Sequence, residues 1–184
     1  MLISRYTKNF IIISFISIII TRLIPHPPNF TSAIAIGFYL PAIFGLKFLL
    51  VSLTAYILSD LVIGTHELIL FTWGSLILVG IFSRYFNNIY TRMIGVTLAC
   101  IIFYLVSNFG VWLLSNLYTN DFSGLILCYM MGLPFLQNSL IGTLFISTLI
   151  ELIISFRYTK SIITKVFSIH ICHKKIWIFL RLGN

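Results

Sequence analysis

The sequence predicts an all-α membrane protein, a bundle of six transmembrane helices with both termini cytoplasmic. Three observations predict it. Of the 184 residues, 59% are hydrophobic and only 9% charged, too few polar side chains to cover a soluble domain of this size. Several apolar runs approach the roughly 20 residues that cross the hydrocarbon core. The basic residues fall in short gaps between those runs and in a C-terminal tail, the pattern that orients a membrane protein. The net charge of +8 therefore reads as a topology signal, and no nucleic-acid partner is expected. Cys100, Cys128 and Cys172 are an odd count without metal-type spacing and read as free thiols.

The first span is expected over 10–23. Arg5 and Lys8 before it resemble a secretory signal, but Thr21-Arg22-Leu23-Ile24-Pro25 follows where a cleavage site needs small residues, so an uncleaved helix is predicted. Pro25, Pro27 and Pro28 end it, because proline lacks an amide donor and clashes with the preceding turn. The second span, 30–45, is short and carries Pro41. Lys47 marks a tight turn, the third span covers 48–63, and Gly64-Thr65-His66-Glu67 closes it. The fourth covers 68–82, and 84–92 is a polar connection. The fifth is the longest, 93–117, followed by a polar turn at 118–124. The apolar run 125–135 is only about 11 residues and contains Gly132 and Pro134, which predicts a re-entrant or interfacial segment. The sixth span is 136–156. Residues 1–157 form a single membrane domain, and 158–184 a basic cytoplasmic tail that suits a helix lying on an anionic lipid surface.

Charge placement orients these six crossings. With the N-terminus inside, Arg5, Lys8, Lys47, Arg84, Arg92, Arg157 and the five basic residues of the tail are cytoplasmic, and only Arg22 lies near the outer face. A full crossing at 125–135 would send the tail's positive charges outside.

The same orientation gathers Asp60, Glu67, Asp121, His26, His66, Asn29, Asn108, Asn116, Gln137 and Asn138 at the outer end. Ionisable groups at membrane depth are costly unless paired or facing water, so such a cluster marks a functional site by default. Helical spacing adds three polar faces: Ser52, Tyr56 and Asp60; Tyr104, Asn108, Trp112 and Asn116; Ser139, Thr143, Ser147 and Glu151. Lipid offers such side chains no partners, so these faces should point into the bundle. For Glu151 a structural pair with Arg157 or another basic neighbour is expected. Arg22 admits two readings, an ion pair with Asp60 or a contact to an anionic group of a ligand. His26 and His66 alone are a weak metal signal. There is no Gly-x-Ser-x-Gly, no His-Glu-x-x-His and no P-loop, so no enzymatic activity and no ATP hydrolysis by the chain itself are expected.

The run from Arg22 through Pro25-His26-Pro27-Pro28-Asn29 to Thr31 resembles a family of uncharacterised bacterial membrane proteins. So do Leu58-Ser59-Asp60-Leu61-Val62-Ile63-Gly64, Ser107-Asn108-Phe109-Gly110-Val111-Trp112 and the stretch from Cys128 through Gly132-Leu133-Pro134-Phe135 to Asn138. In layout the chain is similar to the S components of energy-coupling-factor vitamin transporters, compact six-helix proteins with an outward ligand pocket. That resemblance implies a coupling membrane protein and ATPase subunits as partners, and a home in the bacterial inner (plasma) membrane. The first helix lacks the Ala-x-x-x-Ala signature through which S components dock; Ala33-x-x-x-Gly37 is a stand-in of the small-xxx-small type.

The function expected from the sequence is capture of a small polar solute or vitamin at the outer face. Its pocket is predicted to use Arg22, Asn29, Asp60, Asn108, Trp112 and Asn138, with the 25–28 loop and 125–135 as lids and no cofactor. The alternatives are a non-transporting assembly or scaffold protein, and a membrane enzyme using Asp60 or His66 as base.

Overall fold

A computed structural model describes the backbone over 5–181 and the side chains over 5–156. The described chain is all helical. Six helices follow one another: α1 (Arg5–Leu23), α2 (Ala33–Phe44), α3 (Leu49–Ile63), α4 (Ile69–Phe82), α5 (Ile89–Leu114) and α6 (Phe122–Arg181). Short 3-10 turns, Leu46–Phe48 and Ser83–Tyr85, lead into α3 and extend α4. Among the described residues four helical stretches are long and apolar enough to cross a membrane: Arg5–Leu23, Leu46–Ile63, Ile89–Leu114 and Phe122–Phe156. The chain divides into two compact units, Met1–Ser147 and Thr148–Asn184. The predicted basic tail, 158–184, has its side chains outside the described residues.

The centre of the first unit is α2. Its sequence is apolar on every side, and Ala33 through Pro41 are buried without a break, as a helix without a polar face must be. Gly37 and Gly80 let neighbours close in: a Cβ at Gly37 would sit 2.4 Å from Leu76 Cδ1, and one at Gly80 equally close to Leu49 Cδ1. The pair Ala33 and Gly37 thus faces inward. It cannot serve as the docking surface that its small-xxx-small spacing suggested.

Local chemistry sets the ends. Gly45 (φ 96°) and Gly64 (φ 120°) stop α2 and α3 in backbone conformations that L side chains rarely adopt. The Gly64 N–H returns to the Asp60 carbonyl at 2.9 Å. A capping box opens α5: Asn88 Oδ1 accepts from the Thr91 N–H at 3.0 Å, and Thr91 Oγ1 accepts from the Asn88 N–H at 3.2 Å. Asp121 opens α6 by accepting from the Gly124 N–H at 2.7 Å, with Thr119 and Ser123 hydroxyls donating to the same oxygen.

Two expectations change. Residues 125–135 are not a separate re-entrant segment; they form the first turns of α6, which passes through Pro134. Proline removes one helical hydrogen bond, and inside a membrane protein neighbouring groups can absorb that loss. Asn116 lies beyond the end of α5, so the amide face of that helix consists of Tyr104, Asn108 and Trp112. The other two polar faces are buried: Ser52, Tyr56 and Asp60 on α3, and Ser139, Thr143, Ser147 and Glu151 on α6. Arg157, considered as a partner for Glu151, lies outside the described side chains.

Candidate functional site

Asp60 sits one turn before the end of α3, and Trp73 one turn into α4. The short connection 64–68 makes these helices neighbours, and Trp73 Nε1 donates to Asp60 Oδ2 at 2.7 Å. The other oxygen, Oδ1, accepts from Nη2 of Arg22 in the last turn of α1. The ion pair weighed for these two residues is therefore formed, with Asp60 only 1% exposed and Arg22 12%. The guanidinium lies over the Tyr56 ring, 3.6 Å from its centroid, a cation–π contact. Arg22 Nε, however, is buried with no acceptor. A buried donor left unpaired costs about 1–3 kcal/mol.

The 24–32 connection leaves α1 here and is tied down at several points. Thr21 Oγ1 donates to the Ser17 carbonyl at 2.8 Å and accepts from the Ser32 N–H at 3.2 Å. Asn29 takes a left-handed conformation (φ 63°), which asparagine tolerates better than most residues. Asn138 Nδ2, from α6, donates to the Pro28 carbonyl at 3.1 Å.

A seam between α5 and α6 forms a further boundary. Tyr104 donates its hydroxyl to the Tyr129 carbonyl, and Tyr129 donates back to the Leu105 carbonyl at 3.0 Å. Cys128 Sγ lies 3.3 Å from the Asn108 carbonyl. The Asn108 side chain donates to the Tyr104 carbonyl at 2.9 Å, and a Cβ at Gly132 would meet its Oδ1 at 2.5 Å. Glycine at 132 is thus what admits the Asn108 amide. Trp112 Nε1 donates to the Thr119 carbonyl at 3.0 Å, holding the α5–α6 connection, and its ring packs on Phe109.

These elements border an open-sided cavity of about 680 Å³, within the range of organic-ligand pockets. Its polar lining includes Arg22, His26, Asn29, His66, Ser107 and Asn108; Phe103, Met131 and Phe135 are among its apolar lining. Among the described residues no group of three or more His, Cys, Asp or Glu side chains is placed to hold a metal ion.

A family of unknown function, DUF6580, matches residues 4–164. The chain belongs to this family. The match takes in all four stretches on which the resemblance to an uncharacterised family rests, and it extends beyond them at both ends. No curated protein and no solved structure matches the chain.

Within this family member the six residues singled out from the sequence divide into three groups. Arg22, Asn29 and Asn108 line the cavity. Asp60 lies behind Arg22 and fixes it. Trp112 and Asn138 bind backbone carbonyls of two connections that border the cavity, at Thr119 and Pro28. Sequence reasoning passed over Trp73 and Phe103, and it included Met131 and Phe135 only within the expected 125–135 lid. The hairpin spacing of Asp60 and Trp73 about the 64–68 connection was the available signal for the first. The others are apolar residues on apolar helices, and nothing in their pattern separates a cavity wall from a lipid-facing surface.

Proposed function

We propose that this chain is a multi-pass membrane protein that captures a small polar solute in the cavity beside Arg22 and acts as a binding subunit without enzymatic activity. The observation that carries the reading is the cavity itself: a void of ligand size with an arginine, two histidines and two amides in its lining. A scaffold whose polar stripes only pack helices would bury those groups against one another. Six crossings with both ends in the cytoplasm would place the cavity outward. In support, Lys47, Arg84 and Arg92 flank the far end of α2, while the cavity lies beyond its N-terminus, next to Thr31. The arrangement suits a subunit similar to the S components, which would draw on a coupling membrane protein and ATPase subunits in a bacterial plasma membrane.

The test is native mass spectrometry of the full chain released from lipid nanodiscs, with identification of co-purified small molecules and subunits. A bound small molecule, displaced in a Ser107→Trp variant that fills the cavity, is the expected result. A stable protein partner with no small molecule in any preparation would favour the scaffold reading instead.

A further inference from the structure

The ionisable groups around the cavity have an uneven sign. Arg22, His26 and His66 line it, and among the described residues no Asp or Glu does. The adjacent carboxylate, Asp60, is already committed, with one oxygen on Arg22 and the other on Trp73. That contact engages one Nη, whereas a guanidinium presents five N–H donors in a planar fork. Nε has no acceptor. His26 donates Nδ1–H to the Ile24 carbonyl at 2.6 Å, so its Nε2 becomes a donor to an anion only in the imidazolium form. The lining thus presents a guanidinium and two imidazoles, with no carboxylate of the described residues lining it in return. The lining also includes Phe103, Met131 and Phe135, which offer apolar contact.

We infer that the cavity takes an organic acid, with its anionic group received at the Arg22, His26 and His66 end and an apolar body against Phe103, Met131 and Phe135. A cationic ligand would meet no free carboxylate, and a neutral one would leave the arginine's spare donors with weaker acceptors than a carboxylate provides. The same chemistry belongs to a water-soluble acid and to an anionic lipid. The inference rests on the capture reading, and its failure can be told apart from failure of that reading.

The full chain in phosphatidylcholine nanodiscs is titrated with 4-phenylbutyrate and, in parallel, with 4-phenylbutyramide, binding being followed by calorimetry. The acid should bind at least tenfold more tightly than the amide. Arg22→Gln alone strands Asp60 and can unfold the protein, so the deciding variant is Arg22→Gln/Asp60→Asn, which removes both charges together and keeps a polar side chain at each position. It should stay folded and lose the preference for the acid. His66→Gln, at an exposed position, should weaken the acid severalfold and leave the amide unchanged. Adding phosphatidylglycerol to the nanodiscs separates the sources: loss of phenylbutyrate binding assigns the site to lipid, unchanged binding to a soluble acid. Equal affinity for acid and amide, a preference that survives in the double variant, or no binding of either probe overturns the inference. The capture reading still stands if a neutral or cationic small molecule co-purifies, and falls with it if none does.

Discussion

Replacing Asp60 by alanine should be among the most damaging single changes in the α1–α3–α4 region. The carboxylate is 1% exposed and accepts two hydrogen bonds, from the Arg22 guanidinium and the Trp73 indole. Without it the guanidinium, 12% exposed, keeps its charge and loses its counterion; breaking a buried pair in this way costs about 3–5 kcal/mol. At roughly 2–4 °C per kcal/mol for a chain of this size, the melting midpoint in detergent should fall by about 6–20 °C. The double change Arg22→Met/Asp60→Leu removes both charges and leaves only the Trp73 donor unmet. It should recover all but about 1–3 kcal/mol, the cost of that one buried N–H. Unfolding of the wild type, Arg22→Met, Asp60→Leu and the double variant in mixed micelles gives the coupling directly. An Asp60→Ala cost below about 1 kcal/mol, within the range of an exposed pair, or additive single and double effects would refute a buried, mutually dependent pair.

Other consequences are independent of that pair. Gly132→Val should displace the Asn108 amide, whose Oδ1 would lie 2.5 Å from the new Cβ, at an overpacking cost of about 1–3 kcal/mol; thermal unfolding and ligand binding should both record it. The Gly124 amide first, then the Thr119 and Ser123 hydroxyls, hold the Asp121 carboxyl below the usual aspartate range. Its contribution to stability is thus complete above the ordinary value of about 3.9 and is lost as pH falls through the depressed value; Asp121→Asn should abolish this part of the acid dependence in a pH series of melts. The proposed orientation predicts that single cysteines at Glu67 and Arg84, both exposed, react with a membrane-impermeant maleimide from opposite sides of sealed vesicles. Labelling of both from one side would remove the six-crossing arrangement.

What the sequence revealed and what it concealed have separate physical causes. Proline and glycine at 25–28, 45 and 64 marked helix ends because they act through the local backbone. The Arg22–Asp60 pair was legible because charged residues at membrane depth need partners, and few were available. Pro134 misled, since the expectation of a break at 125–135 treats proline as it acts in a helix exposed to water. Within α6 the loss of one hydrogen bond does not end the helix. The cavity itself could not be read. Whether Phe103 and Met131 face a void, a neighbour or lipid depends on how the helices are placed around α2, and apolar residues on apolar helices carry no mark of that placement.

The short length of α2 links the fold to the cavity. Its 12 residues rise about 18 Å, against roughly 30 Å of hydrocarbon. A lipid-facing helix of that length would leave apolar depth unspanned, but α2 is surrounded by protein from Ala33 to Pro41, so its ends need not reach water. Longer neighbours, such as the 26 residues of α5, run on past its start. Beyond the N-terminus of α2 the space is left to the 24–32 connection and to the cavity, whose lining includes Thr31 but no residue of α2 itself. The void is thus the depth that the central helix does not fill. Thr31→Phe should occupy part of it: ligand binding should be lost while the melting midpoint is held or raised, because the new ring gains apolar contact with no core side chain displaced. Binding that survives the substitution would mean that the ligand sits elsewhere and that the shortness of α2 has no part in capture.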